Sequence, residues 1–317
     1  MAKRRLSKQQ KKRIQKAQDA VPSHSQNHSD GLVISHRGGV ILVETPDMHL
    51  IECKLKSNLG VIVCGDQVVC EDTGNDAFRV VAIKPRENLL QRMDGSGKIR
   101  SIAANLSQLM ICLAVKPEPN LFLLDQYLLS AEQQNINPLI ILNKLDLLSA
   151  PEEDPYMLKS IYQPMGYTVV FTSAIFGQNF DQLKSLFDHQ TTVLSGVSGV
   201  GKSSITRALL PDIDIKIAEI SEANEEGRHT TRTSRLYHLS NNGHLIDTPG
   251  IRGFNPLIDT SQPLSTGFRD ISALADRCRF SNCKHVNEPG CAVVDAVSAG
   301  EIFEIRYQHY LKLLDRQ

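Results

Sequence analysis

The run GVSGVGKS at 196–203 places its glycines, lysine and serine as G-x-x-x-x-G-K-[ST] does. Glycines let a backbone wrap so that successive N–H groups aim at phosphate oxygens, at the positive end of a following helix. Gly196, Val197, Ser198, Gly199, Val200 and Gly201 would form that cradle, with Ser204 in the first turn beyond it. Lys202 would neutralise β- and γ-phosphate oxygens, and Ser203 would offer its hydroxyl to Mg2+. The β-branched TTVL before the loop and the helix-capable SITRALL after it supply the setting such a loop needs.

Other residues complete the chemistry. Asp247-Thr-Pro-Gly250 follows the apolar HLI, about 45 residues past Lys202. Asp247 would hold the Mg2+ shell, and Gly250 would donate its N–H to a γ-phosphate and release it when that group leaves. Asn143-Lys144-Leu145-Asp146 ends the apolar PLIIL. The Asp146 carboxylate can accept from guanine N1–H and the 2-amino group together, whereas adenine offers no donor at either place and would leave an anion unpaired, at ~1–3 kcal/mol. Lys144 would lay its methylenes along the base, and Ser173-Ala174 would aim a main-chain N–H at guanine O6. Thr230 or Thr231 would close over Mg2+, Thr231 being favoured. Ile251 stands where a water-orienting glutamine often follows D-x-x-G, so His229 becomes the candidate to orient or deprotonate the attacking water. Its other reading is an exposed loop histidine.

A separate constellation, Cys278-x4-Cys283-x-His285-x5-Cys291, puts three thiols and an imidazole within 14 positions. Tetrahedral Zn2+ takes four such ligands, and with no open position the site would be structural. The remaining Cys53, Cys64, Cys70 and Cys112 are scattered through apolar stretches, as buried thiols of a reducing cytosol are.

Chain elements must bring these groups together. From 31 to about 90, five short β-type runs separated by Gly, Asp and Asn predict a small closed barrel such as an OB-fold. From about 104, strands alternate with helices, the rhythm of a doubly wound, mostly parallel sheet. After about 262 the pattern turns helical around the Cys/His cluster. The expected units are a basic arm over 1–30, an RNA-binding barrel over 31–103, a circularly permuted P-loop GTPase unit over 104–262, and a helical zinc-binding unit over 263–317. The nucleotide elements run base reader, Ser-Ala, cradle, Thr231, Asp247. That is a familiar set rotated about a cut, and a sheet whose loops converge at one edge tolerates the rotation. The rotation also leads the γ-phosphate loop at 247–254 straight into the segment carrying the cluster, so nucleotide state is expected to move one unit against another.

Lys+Arg and Asp+Glu both total 35, and the balance hides a basic N-terminus. Lys3, Arg4, Arg5, Lys8, Lys11, Lys12, Arg13 and Lys16 face only Asp19 within the first 20 residues. Such a run is either a solvated tail or a phosphate-binding arm. Gln stands where a transit peptide is Ser-rich, and no apolar run nears the ~20 residues of a membrane span. The barrel segment adds Arg37, Lys54, Lys56, Lys84, Arg86 and Arg92, with Phe78 its one aromatic. Folded RNA read by backbone and shape suits that better than base stacking. A monomer is the default, for no heptad or large apolar patch is evident. The rival readings are an RNA-associated protein that holds GTP and scarcely turns it over, and a P-loop kinase or ATPase, against which the N-K-x-D turn argues.

From QRMDGSGKIRSIAANLSQL, NKLD, GVSGVGKSS, GRHTTR, DTPGIRGF and CRFSNCKHVNEPGCAV, over about 31–317, the chain resembles the RsgA (YjeQ) family of circularly permuted GTPases. The resemblance implies an OB-fold, a central GTPase and a C-terminal zinc domain. It implies GTP hydrolysis stimulated by the small ribosomal subunit, contact with its rRNA, and a late checkpoint role in the maturation of that subunit in the cytoplasm. It puts the family's suggested catalytic histidine on His229 and its zinc ligands on Cys278, Cys283, His285 and Cys291.

Overall fold

The computed structural model describes residues 27–37, 39–56, 59–148, 156–210, 234–248 and 255–316. The basic arm, His229, Thr230, Thr231, Gly250 and Ile251 lie outside them, apart from the arm's last few residues.

The five β-type runs each form a strand: β1 (His28–Arg37), β2 (Val40–Glu44), β3 (Leu50–Leu55), β4 (Gln67–Asp72) and β5 (Phe78–Ile83). β1 pairs with β2, β2 with β3, β3 with β5, β5 with β4, and β4 with β1 again, so the barrel closes and leaves no edge. Val33, Ile41, Val43, Cys53, Val68, Cys70 and Val80 fill it, alternating along the strands with outward residues. A hairpin that the strand count left out, β6 (Leu89–Met93) and β7 (Ile99–Ala104), follows the barrel.

The doubly wound part then runs β8 (Gln108–Ala114), α1 (Leu121–Gln133), β9 (Asn137–Asn143), α2 (Tyr156–Tyr162), β10 (Thr168–Phe171), α3 (Phe180–Ser185), β11 (Thr191–Ser195), α4 (Lys202–Leu209), β12 (Arg235–His238) and β13 (His244–Asp247). Its sheet order is β10-β9-β8-β11-β13-β12, with only β12 antiparallel to its neighbour. β8 is buried at every position and β9 at all but its first, as strands covered on both faces must be. Renumbered from β11, the order becomes 2-3-1-4-5-6, an ordinary doubly wound arrangement with its direction reversing between β8 and β11. The link through α3 joins what would otherwise be the two chain ends.

Beyond position 254 come β14 (Asn255–Pro256), which pairs with β6, and the helices α5 (Arg269–Ala275), α6 (Ala292–Ser298) and α7 (Glu304–Leu314). Their core contains Phe268, Ile271, Val293, Tyr307 and Tyr310, and reaches Leu129 on α1. A Cβ at Gly267 would lie 2.1 Å from Leu129 Cδ1 and 3.3 Å from Leu129 O, so a larger residue there would have to push the buried Leu129 side chain aside. α1 is thus buried towards the sheet by Leu124, Tyr127 and Leu128 and towards the C-terminal helices by Leu129.

Candidate nucleotide-binding site and metal centre

β8, β9, β10, β11 and β13 are parallel, so their carboxyl ends share one sheet edge. Asn143 ends β9, Ser173 lies just past β10, Gly196 follows β11, and Asp247 ends β13. The strand order therefore brings together the base reader, Ser173-Ala174, the cradle and Asp247, although they span over a hundred positions. This is the edge, and the switch point, at which doubly wound sheets bind ligands.

Asn143 clips the parts to one another. Its side chain is buried, its Nδ2 donates to Val200 O of the cradle (3.0 Å), and its Oδ1 accepts from Ala174 N (3.1 Å). The Ala174 N–H assigned to guanine O6 is thus also engaged by Asn143. Ser173, fully buried, donates its hydroxyl to the exposed Asp146 carboxylate. Lys144 takes a left-handed conformation (φ +63°) and donates through Nζ to Lys116 O at 2.9 Å, which carries its stem across the end of β8.

The cradle glycines are dictated by geometry. Gly196 has φ +132°, and a Cβ there would sit 2.2 Å from Cys112 O on β8. Gly201 has φ +95°, and its Cβ would meet Asn143 Nδ2 at 2.2 Å. Any side chain at either place would push the loop off the strand ends. Lys202 opens α4 and donates to Gly196 O (2.7 Å) and Val197 O (2.8 Å), which puts its ammonium over the loop. Ser203 is exposed on the same first turn. Beneath the loop, burial pushes the Cys112 thiol up to about 12, so it stays neutral below the cradle.

The four cluster residues converge in the C-terminal part, where their ligand atoms all lie within 4.8 Å of one another. Cys278 Sγ is 3.9 Å from Cys291 Sγ, and His285 Nδ1 is 3.4 Å and 3.6 Å from those two sulfurs. Zinc–sulfur bonds of ~2.3 Å and zinc–nitrogen bonds of ~2.0–2.1 Å set tetrahedral neighbours about 3.6–3.8 Å apart. The spacing therefore fits a Cys3His zinc site. It is far too long for a disulfide, which needs ~2.05 Å.

The residues that shape this loop were missed by sequence reasoning. Glu288 accepts from the N–H groups of Lys284, Val286 and Asn287 at 2.8, 2.9 and 3.2 Å. Those bonds, the one from Lys284 foremost, draw its carboxyl down to about 2. Tyr307 donates to His285 O and Val286 O, and Tyr310 to Lys284 O. An acid inside a metal loop was the one signal available. Arg86 and Lys84, counted among cations free for phosphate, are engaged internally. Arg86 grips the buried Asp66 through both Nε and Nη2 (2.6 and 2.8 Å), and Lys84 pairs with Asp30 at 2.6 Å.

The family model described as RsgA GTPase matches residues 83–256. The small ribosomal subunit biogenesis GTPase RsgA of Saccharophagus degradans is 40% identical over 99% of this chain and 97% of its own length. The chain belongs to the RsgA GTPase family. The RsgA of Hahella chejuensis is 39% identical over 99% of this chain and 96% of its own. Among solved structures, YjeQ from Thermotoga maritima superposes with a TM-score of 0.73 at 29% identity, covering 91% of this chain and 98% of that one. YloQ, described as a circularly permuted GTPase, gives 0.72 at 27% identity over 94% and 99%. Membership of the RsgA GTPase family carries GTP hydrolysis with it.

Proposed function

We propose that this chain is a small-subunit biogenesis factor that hydrolyses GTP with turnover stimulated by the small ribosomal subunit, and that hydrolysis releases it. The names of its relatives support the partner. The observation that carries the nucleotide reading is Asn143, which ties the base reader to the cradle and to Ala174 in one contact set.

In this reading, Asp146 selects guanine while Ser173 holds its carboxylate in place, and Lys144 lies along the base. The backbone from Gly196 to Gly201, with Ser204, wraps the phosphates. Lys202 and that backbone stabilise the charge that builds as water attacks the γ-phosphate. Ser203, Thr231 and Asp247 would hold Mg2+, which neutralises phosphate charge when bound. His229 orients the water, and Thr230 and Gly250 border the γ-phosphate. Cys278, Cys283, His285 and Cys291 hold one structural Zn2+. The basic arm and the exposed Lys54 and Lys56 meet rRNA through its phosphates. The chain works as a cytoplasmic monomer organised as arm, barrel, GTPase and zinc units over 1–30, 31–103, 104–262 and 263–317. Among the described residues no helix is long and apolar enough to cross a membrane.

Phosphate release with and without small subunits is the direct test. Stimulated turnover that falls in His229→Ala is expected; no stimulation of wild type would favour a chain that holds GTP without turning it over. Asp146→Asn should lower GTP affinity about 10–100-fold, the value of a charge-assisted bidentate contact. Unchanged base selectivity would revive an ATPase.

A further inference from the structure

β1 is buried on both faces at one point. Val33, 0% exposed, faces the barrel interior, and Ile34, 3% exposed, belongs to the core of the doubly wound part together with Leu236 of β12 and Ile246 of β13. The register between β1 and β2 shifts between Val33 and Ser35, so Ile34 is the extra residue of a bulge that turns it out of the barrel. Beyond the bulge Ser35 pairs with Arg235, and the barrel and the nucleotide-site sheet become one eleven-stranded sheet. Leu32 and Leu42 pack on the same core. The Cys64 thiol reaches both Ile34 O (2.8 Å) and Ser234 O (3.4 Å) across the junction. At its far end His238 Nε2 meets the Glu44 carboxylate at 2.9 Å.

The strands held by this seam are those nearest the γ-phosphate elements in the chain. β12 starts four positions after Thr231, and β13 ends on Asp247. The C-terminal helices rest instead on α1. Packed strands sharing a core and a ladder do not slide continuously past each other, so a shift of one carries the other.

We propose that the barrel and the β12–β13 hairpin form one rigid body, making the barrel the part through which a bound RNA partner acts on the γ-phosphate elements. The second half of that statement rests on the function proposed above. Hydrogen exchange in the GDP and non-hydrolysable GTP states, with phosphate release with and without small subunits, tests it on wild type, Glu44→Ala and the charge-reversed pair Glu44→Lys/His238→Glu. In wild type, exchange across 32–44 should change with the nucleotide. Glu44→Ala should keep unstimulated turnover, lose about five-fold of the stimulation, in line with a small coupling between sites, and regain it in the reversed pair. Nucleotide-independent exchange across 32–44 in wild type would overturn the rigid seam, whatever the subunit does. Full stimulation of Glu44→Ala would overturn the barrel's part in hydrolysis. A wild type that small subunits fail to stimulate would count against the proposed function, leaving the exchange result to decide the seam.

Discussion

Asn143 satisfies two main-chain groups at once, the part-buried Ala174 N and Val200 O, whose other side-chain partner is the weak Cys112 thiol donor at 3.7 Å. Truncating it to alanine removes both partners, and a buried unsatisfied polar group costs ~1–3 kcal/mol. Asn143→Ala should therefore lower GTP affinity at least ten-fold and the unfolding midpoint by several degrees; isothermal titration and a thermal melt read the two effects. The residue types in the cradle and the N-K-x-D turn were legible in the sequence, because phosphate and guanine each demand a narrow set of donors and acceptors. What the sequence did not show was Asn143's work on the protein itself. The carbonyl and the N–H it binds are 57 and 31 positions away, and main-chain groups carry no signature.

Elements decide whether such groups can act. α4 starts at Lys202 only because Gly201 bends the chain at φ +95° against Asn143, and α1 starts at Leu121 beneath the Asn120 cap, whose Oδ1 accepts from Leu123 N at 3.0 Å. The Cys/His loop shows the same dependence, with almost no regular structure between α5 and α6 and four side chains converging on one point. Metal-binding free energy there is folding free energy. One zinc per chain is expected by atomic absorption, and Cys291→Ser should lose most of it. Chelation should lower the melting temperature of wild type and leave Cys291→Ser nearly unmoved. Glu288 adds a pH dependence of known sign. Its folded-state value lies below the ordinary one of 4.5, so its contribution is present above pH ~5 and is lost as pH falls towards 2. Strands and ligand spacing were readable from hydrophobic period and residue type; the β6–β7 hairpin was not, since burial does not alternate along either of its strands.

At the scale of the whole molecule, the C-terminal helices are fastened to α1 by charge as well as by apolar packing. Arg306, 1% exposed, bonds Asp125 of α1 and Asp270 of α5, while Tyr162 and His309 also reach Asp125. Replacing Arg306 with leucine removes the cation that Asp125 and Asp270 share, and breaking a buried pair costs ~3–5 kcal/mol. A melting temperature about 10 °C lower is expected, whereas Arg306→Leu with Asp125→Asn and Asp270→Asn should recover much of it; equal melts for single and triple variants would contradict the charge argument. Asp125 and Arg306 lie 181 positions apart, and no local pattern in the chain pairs them. Sequence alone determined the chemistry: guanine, phosphate and a tetrahedral metal each require particular side chains at short spacings, and short spacings survive in one dimension. The tertiary structure decided which strand end faces which, that the barrel joins the sheet through a bulged strand, and which charges are taken up internally. Those outcomes depend on contacts between distant segments, whose energies come from packing and desolvation that no local pattern encodes.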